Sequence, residues 1–240
     1  MIDKSLVKLI REMATENGWG APRIHGELRM LGYKISERTV SSYMPKNNKP
    51  PNQSWPAFIK NHMDTTVAID FFTVPTLFFK NIYVLLVISH KTREIIHFNT
   101  TESPNLFWIK RQLLHAFPGG HKYKYLIRDN DKKFMGDFEQ FVWSLNISDR
   151  KIQKISPWQN GYCERGIGSI KRELFYRVIP MSERHLRKIL KSYAEYYNSD
   201  RTHIGLSKET SLGRDVDQNQ GKVFSEERVG GLYKRCFRAS

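Results

Sequence analysis

The chain has 240 residues, 40% of them hydrophobic and 12% aromatic, enough to bury one mid-sized core with a small appended unit. Thirty-nine Lys and Arg against twenty-four Asp and Glu leave a net charge of +15, which favours polyanionic partners, nucleic acid first and an anionic membrane surface second. Two cysteines, Cys163 and Cys236, are too few for a disulfide framework and lack the partners of a zinc finger. The longest apolar run, Ile82 to Ile88, falls far short of the roughly 18–20 residues of a membrane span. The Met1 end carries Asp3 and Lys4 where a signal peptide is apolar. A soluble intracellular protein is expected, without a membrane partner, and cytoplasmic or nucleoid-associated if bacterial.

The first 46 residues read as three short helices. Asp3 caps the first, with Leu6, Leu9, Ile10 and Met13 at helical spacing and Asn17-Gly18 as its end. Pro22 opens the second, with Ile24, Leu28 and Leu31 on one face and Gly32 as the stop. Ser36 caps a third, in which Val40 and Tyr43 face inward. A short Gly-containing turn followed by a helix bearing Arg38, Thr39, Ser41 and Ser42 matches a helix-turn-helix, those four residues being the DNA-binding candidates. A plain helical hairpin is the alternative. Residues 47–60 begin in a proline-rich run with no periodicity and read as a linker.

Beyond it the texture is β-branched and aromatic: Thr65 to Val74, Lys80 to Ser89 and Thr92 to Thr101 are predicted strands of an antiparallel meander. A helix follows over Asn105 to Phe117, then a short strand at Lys124 to Arg128, a helix over Asp137 to Leu145 and a strand near Ile147 to Lys154. An interrupted helical segment runs from Trp158 to Val178, and an amphipathic helix from Ser182 to Asn198. Patterning is weak after about Ser207, and 216–240 read as a tail. This order predicts an α/β fold, a mixed sheet covered on both faces by helices, with the small all-α unit before it.

Three acids stand apart. Asp70 lies inside the first strand between Ile69 and Phe71, where an unpaired carboxylate is costly to bury. Asp129 follows the end of the fourth strand, and Glu164 starts a helix after a Gly-containing loop. Carboxylates from a strand interior, a strand end and a helix start can converge, and such oxygen ligands suit Mg²⁺ or Mn²⁺. Two ions about 3.5–4 Å apart would clamp the attacking and leaving oxygens at a phosphate. Singly, each acid is an ordinary surface group. The nearby Asp64 and Asp131 read as decoys, the first beside a polar turn and the second ahead of Lys132 and Lys133. Lys171 shares the face of Glu164 and is placed to contact a phosphate; Asn160 lends the preceding loop freedom. Trp158 and Tyr162 are either base-stacking or core aromatics. Cys163 reads as a core residue and His203 as an orienting or packing one.

The stretches Asp70-Phe71-Phe72, Ile127-Arg128-Asp129-Asn130 with Phe134, Pro157-x-x-Asn160-Gly161-x-x-Glu164-Arg165, Tyr196-Tyr197-Asn198 and Arg201-Thr202-His203 resemble, in order and spacing, the integrase core of retroviral-type integrases and insertion-sequence transposases. Glu164 stands thirty-five positions after Asp129, near the spacing of the family's Asp, Asp, Glu triad. Trp19-Gly20-Ala21-Pro22-Arg23-Ile24 with Gly26-Glu27-Leu28 resembles the helix-turn-helix before this core in bacterial transposases. Asp131 stands where the family usually has glycine.

The resemblance implies an RNase H-like five-stranded mixed sheet over residues 61–215. It also implies Asp70, Asp129 and Glu164 as catalytic and metal-binding residues for two Mg²⁺ or Mn²⁺ ions, and 3′-hydroxyl attack on a DNA phosphodiester after end cleavage. The expected partners are double-stranded DNA, as element ends and target, and further copies of the chain assembled on that DNA. Two other readings stand beside it: a catalytically silent DNA-binding protein derived from a mobile element, and an RNase H-like nuclease acting on RNA–DNA hybrids.

Overall fold

The computed structural model describes residues 3–45, 55–152, 157–218 and 220–238, and the chain divides into two compact units, Met1–Gln53 and Ser54–Ser240. In the first, α1 (Lys4–Asn17) is capped by Asp3, whose carboxylate accepts from the Ser5 N–H at 3.1 Å. Gly18 ends it at φ 65°, a left-handed conformation in which a side chain would be strained. α2 (Ala21–Met30) carries Pro22 in its first turn, where no intrahelical N–H is lost. α3 (Glu37–Tyr43) is capped by Ser36, which accepts from the Thr39 N–H at 3.2 Å. Ile10, Ile24, Leu28 and Val40 from the three helices are fully buried together. At roughly 1.5–3 kcal/mol for each buried aliphatic side chain, this contact closes the unit.

The second unit is built on a five-stranded sheet. Its elements are α4 (Trp55–His62), β1 (Thr66–Pro75), β2 (Asn81–Ser89), β3 (Ile95–Thr101), α5 (Leu106–Ala116), β4 (Tyr125–Arg128), α6 (Phe138–Ser144), β5 (Ser148–Lys151), α7 (Gly161–Ile170) and α8 (Glu183–Ser199). The strand order is β3-β2-β1-β4-β5, with β1, β2 and β3 antiparallel and β4 and β5 parallel to β1. Alternation along the strands divides the core. Val67, Ile69, Leu85, Val87 and Leu126 pack under Ile109, Leu113, Phe138 and Val142 of α5 and α6. Ala68, Phe72, Leu86, Ile88 and Ile127 pack under Ile167 and Ile170 of α7 and Leu186, Leu190 and Tyr193 of α8. The mixed sheet with helices on both faces is the expected arrangement. Gly166 lets α7 sit close on β2: a Cβ there would stand 3.0 Å from the Ile88 Cδ1.

Several expectations need correction. The linker reading of 47–60 fails from Trp55, where α4 begins; Pro56 occupies its second position, where its missing N–H costs nothing, and Ile59 is buried in the main core. Residues 46–54 lie outside the described residues, as do 153–156, including the far end of the fifth predicted strand. The interrupted helix ends earlier than Val178: α7 passes at Lys171 into a wider π turn that closes at Phe175. The tail reading of 216–240 overlooks an antiparallel hairpin of β6 (Val223–Arg228) and β7 (Tyr233–Arg238). Its Arg228 is anchored to Asp200 at the end of α8 at 2.7 Å, and Tyr233 stacks on Tyr196 of α8 with centroids 4.5 Å apart.

Candidate active site

Strand parity aims the first acid. Asp70 shares the α7 and α8 side of β1 with Ala68 and Phe72. On β4, Ile127 faces that side while Arg128 faces α6, so Asp129, one residue further, returns to it. The parallel register pairs Ile69 with Arg128, and its continuation sets Asp70 beside Asp129. Glu164 enters from the first turn of α7 and is exposed.

Their fields meet. Asp70, half-buried, has its carboxyl pushed up to about 7, chiefly by burial, then by Asp129, and further by Glu164 and Asp131, against a 2.7 Å hydrogen bond from the Phe71 N–H. Burial also raises Asp129. The thiol of Cys163, fully buried on α7, is pushed up by burial first and then by the charges of Asp70, Glu164 and Asp129. This thiol is a core group and no nucleophile. Among the described residues no group of three or more His, Cys, Asp or Glu side chains is placed to hold a metal ion. The donor set nonetheless fits a hard divalent cation: oxygen ligands only, and a half-buried carboxylate repelled by its neighbours.

The decoys are neutralised locally. Asp64 pairs with Lys91, and Asp131 with Lys133 at 2.5 Å while capping the Lys133 N–H at 2.9 Å. Asp131 still adds to the field on Asp70. A support that sequence reading missed lies behind Asp129: the Arg128 guanidinium, 2% exposed, makes a bidentate pair with Asp149 of β5 at 2.9 and 2.7 Å and donates to the Asp129 carbonyl at 3.2 Å. It is flanked by Phe134 and Phe138, with ring centroids 5.2 and 4.8 Å away. An arginine inside an apolar strand was the available signal.

Of the DNA-binding candidates, Lys171 is exposed with its ammonium 5.8 Å from the Phe72 ring centroid, near the acids. Asn160 is 1% exposed, with neither amide atom hydrogen-bonded, so it is no surface contact in this state. On α3, Arg38 and Ser41 are exposed, whereas the Thr39 hydroxyl is bonded to that of Ser36 at 2.7 Å and the Ser42 hydroxyl donates to the Thr39 carbonyl at 2.8 Å. Arg38 and Ser41 are therefore the better placed pair. His203 is buried between the Arg201 guanidinium at 3.1 Å on Nδ1 and the Tyr197 carbonyl at 3.2 Å on Nε2, an orienting role. The Trp158 side chain lies outside the described residues.

Residues 146–210, from just before β5 to beyond α8, match the family model described as the integrase core domain. That segment is similar to an integrase core domain. The matched segment holds Glu164; Asp70 and Asp129 lie before it. Among solved structures, the simian T-cell lymphotropic virus intasome in complex with PP2A regulatory subunit B56 gamma is similar at a TM-score of 0.50 and 13% identity, over 95% of this chain and 86% of that one. That likeness is one of fold alone. The catalytic core domain of BIV integrase aligns at 0.46 and 14% over 59% of this chain and 88% of its own. The HTLV-2 integrase catalytic core domain in complex with magnesium, in its dimeric form, aligns at 0.49 and 15% over 62% and 94%. No curated protein gives a significant match. Among the described residues no helix is long and apolar enough to cross a membrane.

Proposed function

We propose that the protein is a DNA transposase or integrase that cleaves DNA ends and joins them to target DNA by 3′-hydroxyl attack on a phosphodiester, with Asp70, Asp129 and Glu164 as its catalytic residues. What supports the reading is the placement of Asp70 on β1 beside the strand that ends just before Asp129, with Glu164 in the first turn of the helix packed on that face of the sheet. The three side chains would hold two Mg²⁺ or Mn²⁺ ions, which when bound supply stabilisation of the attacking and leaving oxygens. Asp70 on β1 and Asp129 just past the end of the adjacent β4 fix the position of the site, while Glu164 closes it from the helix. Arg128, locked by Asp149, holds the backbone at Asp129. Lys171 lies on the Glu164 side of its helix and binds a phosphate beside the acids. Residues 1–46 act as a helix-turn-helix that presents Arg38 and Ser41 of α3 to DNA, and the core works as a multimer on DNA because two ends must be held together.

The test is incubation of the purified chain with labelled duplex DNA and Mg²⁺ or Mn²⁺, scored for nicks and for joined products, beside Glu164→Gln. The amide keeps the shape of Glu164 but holds a divalent ion poorly. Products from the wild type and their loss in a variant that still folds and binds DNA are expected. Full joining by the variant would refute the triad, and DNA binding with no products from the wild type would favour the silent alternative.

A further inference from the structure

α7 has two polar flanks. At 100° per residue, Cys163, Ile167 and Ile170 form the stripe buried on the sheet. Glu164, Gly168 and Lys171 run along one side of this stripe, and Tyr162, Arg165 and Ser169 along the other. The second flank opens on a cleft of about 490 Å³, which Arg93 from the β2–β3 turn and Arg201 and His203 from beyond α8 also line.

The cations in this cleft are not equivalent. Arg201 is neutralised by both carboxylate oxygens of Glu173, the shortest contact being 2.6 Å. Arg93 and Arg165 take part in no ion pair among the described residues. Both guanidiniums instead lie over the Tyr162 ring, 3.5 and 4.8 Å from its centroid. Arg93 is held in place by donating to the His90 carbonyl, and Arg165 by a 2.9 Å bond to the Gly161 carbonyl. Arg165 is positioned by one N–H, leaving other donors of its fork open to a ligand, and Arg93 is held also by a side-chain hydrogen bond with Tyr162. Burial works against the protonated form of Arg93 most strongly, Tyr162 favours it and the charge of Arg165 opposes it, and the two like charges stand together over one ring. Rigid paired guanidiniums with open forks suit a phosphate oxyanion.

We propose that this cleft is a phosphate-binding site, formed by Arg93 and Arg165 over Tyr162 with the Ser169 hydroxyl beside them, and that in the working protein it takes a phosphodiester of the DNA backbone. It deepens the DNA-handling reading: a phosphate here lies across α7 from the three acids, on a stretch of strand other than the one being cut. The same chemistry accepts free phosphate, and the test separates the sources.

Duplex binding is followed by fluorescence anisotropy across salt concentrations, and inorganic phosphate binding by ³¹P line broadening. Arg165→Gln, exposed and expected to fold, and Gly205→Glu are compared with Arg165→Lys. Gly205 faces Arg93, whose Nη2 would be 4.0 Å from an added Cβ, so Gly205→Glu puts a carboxylate into the cleft. Loss of about 0.9 from the salt slope in Arg165→Gln and Gly205→Glu, but not in Arg165→Lys, establishes the site with DNA as its source. An unchanged slope with loss of phosphate broadening establishes it with free phosphate as its source. Unchanged slope and unchanged broadening in both folded variants would overturn it. Cutting activity does not enter these readouts, so failure of the catalytic triad leaves them intact.

Discussion

His90 shows what one buried side chain does to stability. It is 0% exposed, with neither ring nitrogen hydrogen-bonded and its ring edge-on to Tyr162 at 4.7 Å. Burial, with Arg93 and Arg165 adding to it, depresses its pKa from 6.5 to about 3. The folded protein therefore holds it neutral while the unfolded chain protonates it, and stability present above pH 6.5 is lost as pH falls from there toward 3. Between pH 6.5 and 5, before carboxylates dominate, the loss approaches about 1.4 kcal/mol per pH unit for one proton. Asp70, with its carboxyl pushed up to about 7, takes up a proton in the folded state over the same range and opposes this loss. Chemical denaturation at several pH values should therefore show the His90 contribution as a fall in wild-type stability relative to His90→Leu as the pH is lowered. An identical pH dependence in the variant would mean that His90 is solvated or paired in solution.

At the scale of elements, β5 is a four-residue edge strand that pairs with β4 alone, and the Arg128–Asp149 pair ties the two together under α6. Asp149→Asn leaves a buried guanidinium without its charge partner, a loss of about 3–5 kcal/mol in comparable buried pairs. A fall of that order in unfolding free energy, measured in urea, is expected. A change under about 0.5 kcal/mol would show that water enters beside Arg128. The central strands were legible in the sequence as apolar, β-branched runs buried on both faces, and α5, α6 and α8 by the helical period of one buried face. α4 was not, because its two apolar turns follow a proline run. β6 and β7 were not because they are largely exposed, which removes the alternation that marks a strand. Asp70 and Asp129 stood out as acids in or beside apolar strands. Arg93 and Arg165 did not, since the cleft is assembled from a turn, a helix and a post-helical segment far apart in the chain.

For the molecule as a whole, a charge of +15 favours a polyanionic partner, and in the proposed function the carboxylates locate the chemistry. The helical unit and the core each carry a self-sufficient apolar cluster and are described as separate bodies. Function then rests on whether Asp70, Asp129 and Glu164 form one cation site, since Asp64 and Asp131 already have lysine partners. The direct measurement is calorimetric titration of Mn²⁺ into the wild type and into Asp64→Asn, Asp70→Asn, Asp129→Asn, Asp131→Asn and Glu164→Gln, each checked for folding by circular dichroism. Binding should be lost or weakened at least tenfold, about 1.4 kcal/mol, in the Asp70, Asp129 and Glu164 variants and kept in the other two. Wild-type binding by Asp70→Asn, or loss confined to Asp131→Asn, would contradict the account.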